Sequence, residues 1–224
     1  DWADIASILR ADPVLAPMVD AAPGLRVPGA WNGFELAVRA VLGQQIRVAH
    51  ATALAGRLVR AFGKPSAGAG SLTHLFPTAE VLAEADLSGV GLTKARAQTI
   101  RGLSQAIVDR RVNFEGVVDS ESFRRQFMEI PGIGSWTAEY VAMRALGEPD
   151  AFPAGDVALQ SALELTGARA AERRAEPWRP WRSYATMYLW MMGHKSKTSK
   201  KEPASAQGAL AAFAESAVPL GAGD

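Results

Sequence analysis

The sequence predicts an all-α fold. Apolar residues recur at helical spacing along most of the chain, and no alternating run competes for a sheet. Proline and glycine clusters cut the chain into pieces of helix length. A hydrophobic share of 48% over 224 residues marks a globular chain, long enough for one large domain or two lobes with a shared core.

Asp12-Pro13, Pro23-Gly24 and Pro28-Gly29 punctuate the first 30 residues and leave short helices near 2–11 and 14–21. Residues 33–62 read as a helical hairpin or a broken helix, with Phe34, Val38, Val41 and Leu42 near helical spacing. Residues 63–71 are rich in Pro, Ser, Ala and Gly and form a loop. Thr78 suits the N-cap of a helix over 79–85. Gly89-Val90-Gly91 precedes a helix at about 93–109, and Ser120 begins one that ends near Glu129. A Pro-Gly-Ile-Gly turn follows, then helices at about 135–146, 157–166 and 180–193. Gly89-Val90-Gly91 partly echoes Gly132-Ile133-Gly134, either as a repeat of a helix–turn–helix unit or as a plain tight turn. The expected organisation is a helical domain over 1–194, with its hairpin at about 120–146, and a tail over 195–224. That tail is basic, then Ala/Gly-rich; it is flexible or partly helical, and either solvated or in touch with phosphates.

Composition removes several function classes. The chain has no cysteine, which excludes disulfides, a cysteine nucleophile, a zinc finger and a thiolate-held iron–sulfur cluster. No apolar run has membrane-spanning length and no signal-peptide pattern is present, so no membrane partner is expected, and the lack of cysteine fits a cytoplasmic location. The three histidines are scattered and make no metal-ligand spacing. Net charge is +1, from 24 basic and 23 acidic residues, so any nucleic-acid contact rests on local placement of charge. The chain begins with Asp rather than Met, as a processed chain or a piece of a longer one would.

The segment Ile130-Pro131-Gly132-Ile133-Gly134-Ser135-Trp136-Thr137 carries the most information, together with Asp156. Its glycines let main-chain N–H groups approach a phosphate, and the start of the following helix adds partial positive charge. A phosphate bound there needs no side chain and reads no sequence. The same letters also suit an ordinary helix connection with a glycine cap. Asp156 follows Pro153-Ala154-Gly155 and precedes apolar Val157, Leu159 and Leu163, the setting of a helix N-cap. Capping is compatible with catalysis, because an anion beside a scissile glycosidic bond stabilises an oxocarbenium-like transition state. Trp136 and Tyr140 share a helix face, and Trp178, Trp181, Tyr184, Tyr188 and Trp190 crowd a later segment. They are either core or a pocket for a flipped cationic base. Gln44-Gln45, after Gly43, is either paired with backbone or placed to fill the gap left by an extruded base.

Together these segments resemble the helix-hairpin-helix DNA glycosylase superfamily, and within it the alkylated-base branch. Residues 130–138 look like its hairpin, and Phe152-Pro153-Ala154-Gly155-Asp156 looks like its catalytic-aspartate segment. Phe34-Glu35 with Leu42-Gly43-Gln44-Gln45 looks like its DNA-penetrating region, and Trp178-Arg179-Pro180-Trp181-Arg182-Ser183-Tyr184-Ala185 like a later signature. The matches run from about residue 10 to residue 193.

The resemblance implies two helical lobes with a cleft between them. It implies Asp156 as catalytic residue, and Trp136, Tyr140 and Trp190 as base pocket. Gly132, Gly134, Gln44 and Gln45 would meet DNA, and backbone carbonyls of Met128, Ile130 and Ile133 would hold a structural monovalent cation. The implied activity is base flipping and hydrolytic release of 3-methyladenine- and 7-methylguanine-type bases from double-stranded DNA by a monomer, with no catalytic cofactor. Two departures stand out. Gln45 would make a polar wedge where some members have an apolar one, and the chain starts about where the helical part would begin in members with a preceding mixed α/β lobe. The alternatives are a bifunctional glycosylase/lyase and a binding-only hairpin module. Lyase members carry a lysine two residues after the hairpin's last glycine; this chain has Trp136 there.

Overall fold

The computed structural model describes residues 1–66, 73–116 and 118–198, and capping side chains and glycines divide these described residues into eleven α-helices. Among the described residues, β-structure is confined to one antiparallel bridge between Pro65 and His74. The chain forms two compact units. One joins Asp1–Gly29 to the described residues from Ala142 onward, and the other is Ala30–Val141.

In the second unit, α3 (Gly33–Gly43) starts at Asn32, whose side chain accepts from the Glu35 amide at 2.8 Å. Phe34, Ala37, Val38, Ala40, Val41 and Leu42 of α3 are buried, so most of its circumference is core. α4 (Val48–Phe62) buries Leu54, Ala55 and Leu58, and packs on α3. The chain between them breaks at Gln44, which settles the 33–62 region as two helices. α5 (Ala79–Glu84) packs on α6 (Lys94–Val108), capped by the Thr93 hydroxyl. Thr78 stands at the N-cap of α5, but its side chain makes no capping bond; the hydroxyl serves the Glu80 carboxylate instead. α7 (Ser120–Met128) is capped by Asp119 and carries Phe123 and Phe127, stacked at 5.0 Å. α8 (Ser135–Ala145) contains the boundary between the units.

The two glycine pairs differ in which glycine is left-handed. Gly91 is left-handed at φ 82° and closes a short 3-10 turn over Leu87–Val90, while in the other pair the first glycine, Gly132, is left-handed at φ 90°. Arg57 donates to the Val90 carbonyl at 2.8 Å and clamps the first turn.

The first unit holds α1 (Trp2–Arg10), α2 (Ala16–Ala21), α9 (Val157–Ala162), α10 (Ala168–Ala175) and α11 (Arg182–Thr198). Its core includes Leu9, Leu15, Val19, Leu159, Trp178 and Tyr188, all fully buried. Its terminal segments meet at Asp12, which accepts from Arg174 Nη2 at 2.8 Å and from Trp178 Nε1 at 2.7 Å. Burial pushes the Asp12 carboxyl up, but the bonds from Arg174, Trp178 and the Val14 amide outweigh it and hold it down at about 2.

Three sequence expectations change here. α9 stops at Ala162 rather than 166, because Glu164 turns left-handed at φ 54° and the Leu165 amide closes back on the Gln160 carbonyl at 2.9 Å. α10 was not expected: its only buried residues are Ala171 and Ala175, too slight an apolar stripe to read. α11 runs to Thr198, so the expected boundary at 194/195 falls inside a helix. The rest of the expected tail, 199–224, lies outside the described residues.

Candidate active site

Asp156 is the N-cap of α9, with extended backbone (φ −71°, ψ 124°). Its Oδ1 accepts from the Leu159 amide at 2.9 Å and from the Trp190 indole N–H at 3.0 Å. The preceding segment, Ala151 to Ala154, is buried, and Asp156 emerges from it half-buried. Gln160 steadies both ends of α9: its Nε2 donates to the Ala154 carbonyl at 2.8 Å, and its Oε1 accepts from the Gly167 amide at 3.2 Å. A carboxylate oriented this way by an amide and an indole can stabilise a cation that develops beside it.

The hairpin belongs to the other unit. It leaves α7 at Met128, which is 44% exposed, and enters α8 at Ser135. Ile130 and Ile133 are buried and anchor it, while Pro131, Gly132, Gly134 and Ser135 are exposed. The Ile133 amide donates to the Ile130 carbonyl at 3.0 Å. Two carbonyls are taken by the protein: Pro131 O accepts from the Thr99 hydroxyl at 2.9 Å, and Gly132 O accepts from Gln44 Nε2 at 3.0 Å. A Cβ on Gly132 would lie 2.0 Å from Thr99 Oγ1, so this position excludes a side chain on sterics as well as on φ. Gly134 faces open space. With those carbonyls held by the protein, the exposed turn offers the amide-rich start of α8 to an anion.

Trp136 and Tyr140 stack on one another at 5.3 Å and 9° and are half-buried. Trp190 belongs to the other unit, is only 7% exposed, and spends its indole N–H on Asp156. The structure gives the Trp190 indole N–H the work of holding a carboxylate, and a bond at the ring edge is compatible with the stacking face expected from the sequence. Gln44 is half-buried and its amide is engaged inside the protein, which is the backbone-paired alternative of the sequence reading. Gln45 is exposed, with a left-handed φ of 57°. Sequence reasoning missed Thr99, Arg96 and Gln160. The partners of the first two lie 32 and 52 residues away, so no local pattern could expose them.

The model of the HhH-GPD superfamily base excision DNA repair proteins matches residues 38–180. The chain belongs to the HhH-GPD superfamily. A protein of Mycobacterium tuberculosis named probable bifunctional transcriptional activator/DNA repair enzyme AlkA is 45% identical over 83% of this chain and 38% of the relative. The DNA-3-methyladenine glycosylase 2 of Escherichia coli is 35% identical over 76% of this chain and 61% of the relative. The chain thus spans less than two thirds of the length of either relative. Among solved structures, a 3-methyladenine DNA glycosylase from Archaeoglobus fulgidus matches with a TM-score of 0.71 at 23% identity, over 87% of this chain and 70% of that one. That likeness bears on fold alone, and it agrees with the all-α architecture. Within this HhH-GPD chain, the hairpin and the Asp156 segment both fall inside the matched span. No helix among the described residues is long and apolar enough to cross a membrane.

Proposed function

We propose that this HhH-GPD protein is a monofunctional DNA glycosylase that hydrolyses the N-glycosidic bond of alkylated bases in double-stranded DNA, acting as a monomer. The observation that carries the reading is Asp156, a half-buried carboxylate held by Leu159 and Trp190 at the start of α9. An N3- or N7-alkylated purine is cationic, so its glycosidic bond is already weakened and no strong acid is needed. The nucleotide is extruded, at a cost of roughly a few kcal/mol that is lowest for damaged bases. Asp156 stabilises the sugar cation as water attacks C1′; the base departs with the bonding electron pair, and water's proton is lost to solvent.

The other unit supplies the grip. The exposed hairpin offers backbone N–H groups to phosphate, and Gln45, exposed at its turn, fills the gap left by the base. Trp136 and Tyr140 supply aromatic surface for stacking. A monovalent cation suits the hairpin carbonyls of Met128, Ile130 and Ile133, since hard oxygen donors fit it. Ile130 O already accepts from Ile133 N at 3.0 Å and keeps a second lone pair. Such an ion would add positive charge near a bound phosphate.

Trp136 supplies no amine for a Schiff base, which favours hydrolysis over the lyase reading. Incubation with methylated duplex DNA tests the function: release of 3-methyladenine, with the strand intact until alkali cuts it, is the expected result. No release would sink the glycosylase reading. A robust borohydride-trapped adduct would replace it with the lyase.

A further inference from the structure

The chain between α3 and α4 makes a tight turn over Gly43–Ile46, closed by the Ile46 amide on the Gly43 carbonyl at 3.4 Å. Gln44 at φ −56°, ψ 123° followed by Gln45 at φ 57° is the dihedral pattern of a type II turn. The second central position of that turn ordinarily takes glycine or asparagine. Glutamine there is strained, and such strain persists only where the surroundings over-determine it.

Two side chains supply that determination. Arg96 of α6 donates to the Val41 carbonyl at 3.1 Å and to the Gln44 carbonyl at 2.6 Å. Gln44 itself donates from Nε2 to Gly132 O and to Thr137 Oγ1, each at 3.0 Å. Gly132 O can only accept, so the amide's orientation follows from chemistry, and both of its N–H bonds are spent inside the protein. Thr99, three residues after Arg96 on α6, holds the neighbouring Pro131 carbonyl. One helix thus holds both the turn and the hairpin, and Gln44 ties them to each other.

We infer that Gln44 is a positioning residue: it locks the strained Gly43–Ile46 turn to the hairpin, so that Gln45 and the hairpin amides meet DNA as one preset surface. This rests on the DNA-binding reading above. Gln44 acts through Gly132 and Thr137, and its amide donors make no contact with DNA.

The test is a double-mutant cycle with Gln44→Leu and Thr137→Val. Thr137 is only 2% exposed, and its hydroxyl oxygen accepts from Gln44 Nε2 at 3.0 Å. Both single variants weaken binding to a duplex carrying a stable abasic analogue, Gln44→Leu by about tenfold, the scale of two hydrogen bonds. The double variant binds as Gln44→Leu does. Independent, multiplying losses would overturn the proposal, because the effect of Thr137 on DNA would then not run through Gln44. Hydrogen exchange on the free variants gives a second arm: Gln44→Leu should speed exchange at Ile46 and at Ile133–Ser135 together, with the first unit unchanged. Unaltered exchange in either segment would overturn the lock whatever the DNA result. If the unaltered chain bound no duplex, the DNA reading and the second half of the proposal would fall together, while exchange would still judge the lock.

Discussion

Asp12 and Asp156 occur in the same unit and hold the same kind of partners. Each accepts from a tryptophan indole, Trp178 for Asp12 and Trp190 for Asp156, and each accepts from a backbone amide just downstream. They differ in what else surrounds the carboxylate. Asp12 is 7% exposed and takes the Arg174 guanidinium on both oxygens. Its charge is consumed in joining the N-terminal segment to α10, and its carboxyl is held at about 2. Asp156 stands half-buried at the head of a six-residue helix. An Asp–Trp pair therefore says nothing of role by itself. Burial and a bidentate arginine make one a structural clamp, and a part-exposed helix start leaves the other able to meet a cation.

The comparison breaks first on rate. Asp156→Asn should cut base release by on the order of 10²–10³-fold or more, while duplex binding and thermal unfolding stay near those of the unaltered chain. Single-turnover release from methylated DNA measures it; a rate within a few-fold of the original would remove Asp156 from catalysis.

Asp12→Asn should do the converse. It leaves Arg174 with a weakened partner in a part-buried site, at a cost of about 2–3 kcal/mol, less than for a fully buried pair. Melting should move down by roughly 5–10 °C, and base release per folded molecule should hold at moderate temperature. A drop in rate with no loss of stability would contradict the structural reading of Asp12.

Acid sharpens the same distinction. The Asp12 carboxyl falls from 3.8 to about 2 on folding. Its contribution is therefore complete above about pH 4 and is lost as pH falls toward 2, about 2 kcal/mol in all. Urea unfolding followed from pH 5 to pH 2.5 should show a steeper loss for the unaltered chain than for Asp12→Asn. Parallel curves would remove this contribution.

The smallest effects belong to the two indoles. Trp190→Phe deletes the donor to Asp156 and should lower the rate about tenfold, the scale of one hydrogen bond to a charge. Trp178→Phe deletes the donor to Asp12 and should appear in unfolding, by about 1–2 kcal/mol, rather than in rate. Equal effects of the two on rate would erase the distinction between the carboxylates.

Much of this was legible along the chain. The all-α class, the break within 33–62 and the N-cap position of Asp156 all follow from capping residues and glycines that act within a few positions. The two Gly-x-Gly turns mark the limit. Their letters match, yet the left-handed glycine is the last in one and the first in the other; Arg57 holds the Val90 carbonyl of the first turn, and Thr99 packs under Gly132 of the second. α10 and the extension of α11 were hard to read for a related reason: α10 sets only small alanines against its charged face, and α11 continues through polar residues, so neither shows large apolar residues at helical spacing.

The sequence by itself determined the all-α class and many of the helix starts, that no thiol or hairpin amine is available for chemistry, and which carboxylate follows the hairpin. Tertiary structure decided the roles. Gln44 reaches across 88 residues to Gly132, and Trp178 across 166 to Asp12. Trp190 reaches Asp156 across 34. Capping and turn bonds span a few residues, so local composition sets them. A side chain bound to distant backbone or to a distant carboxylate depends on packing that no window of sequence contains.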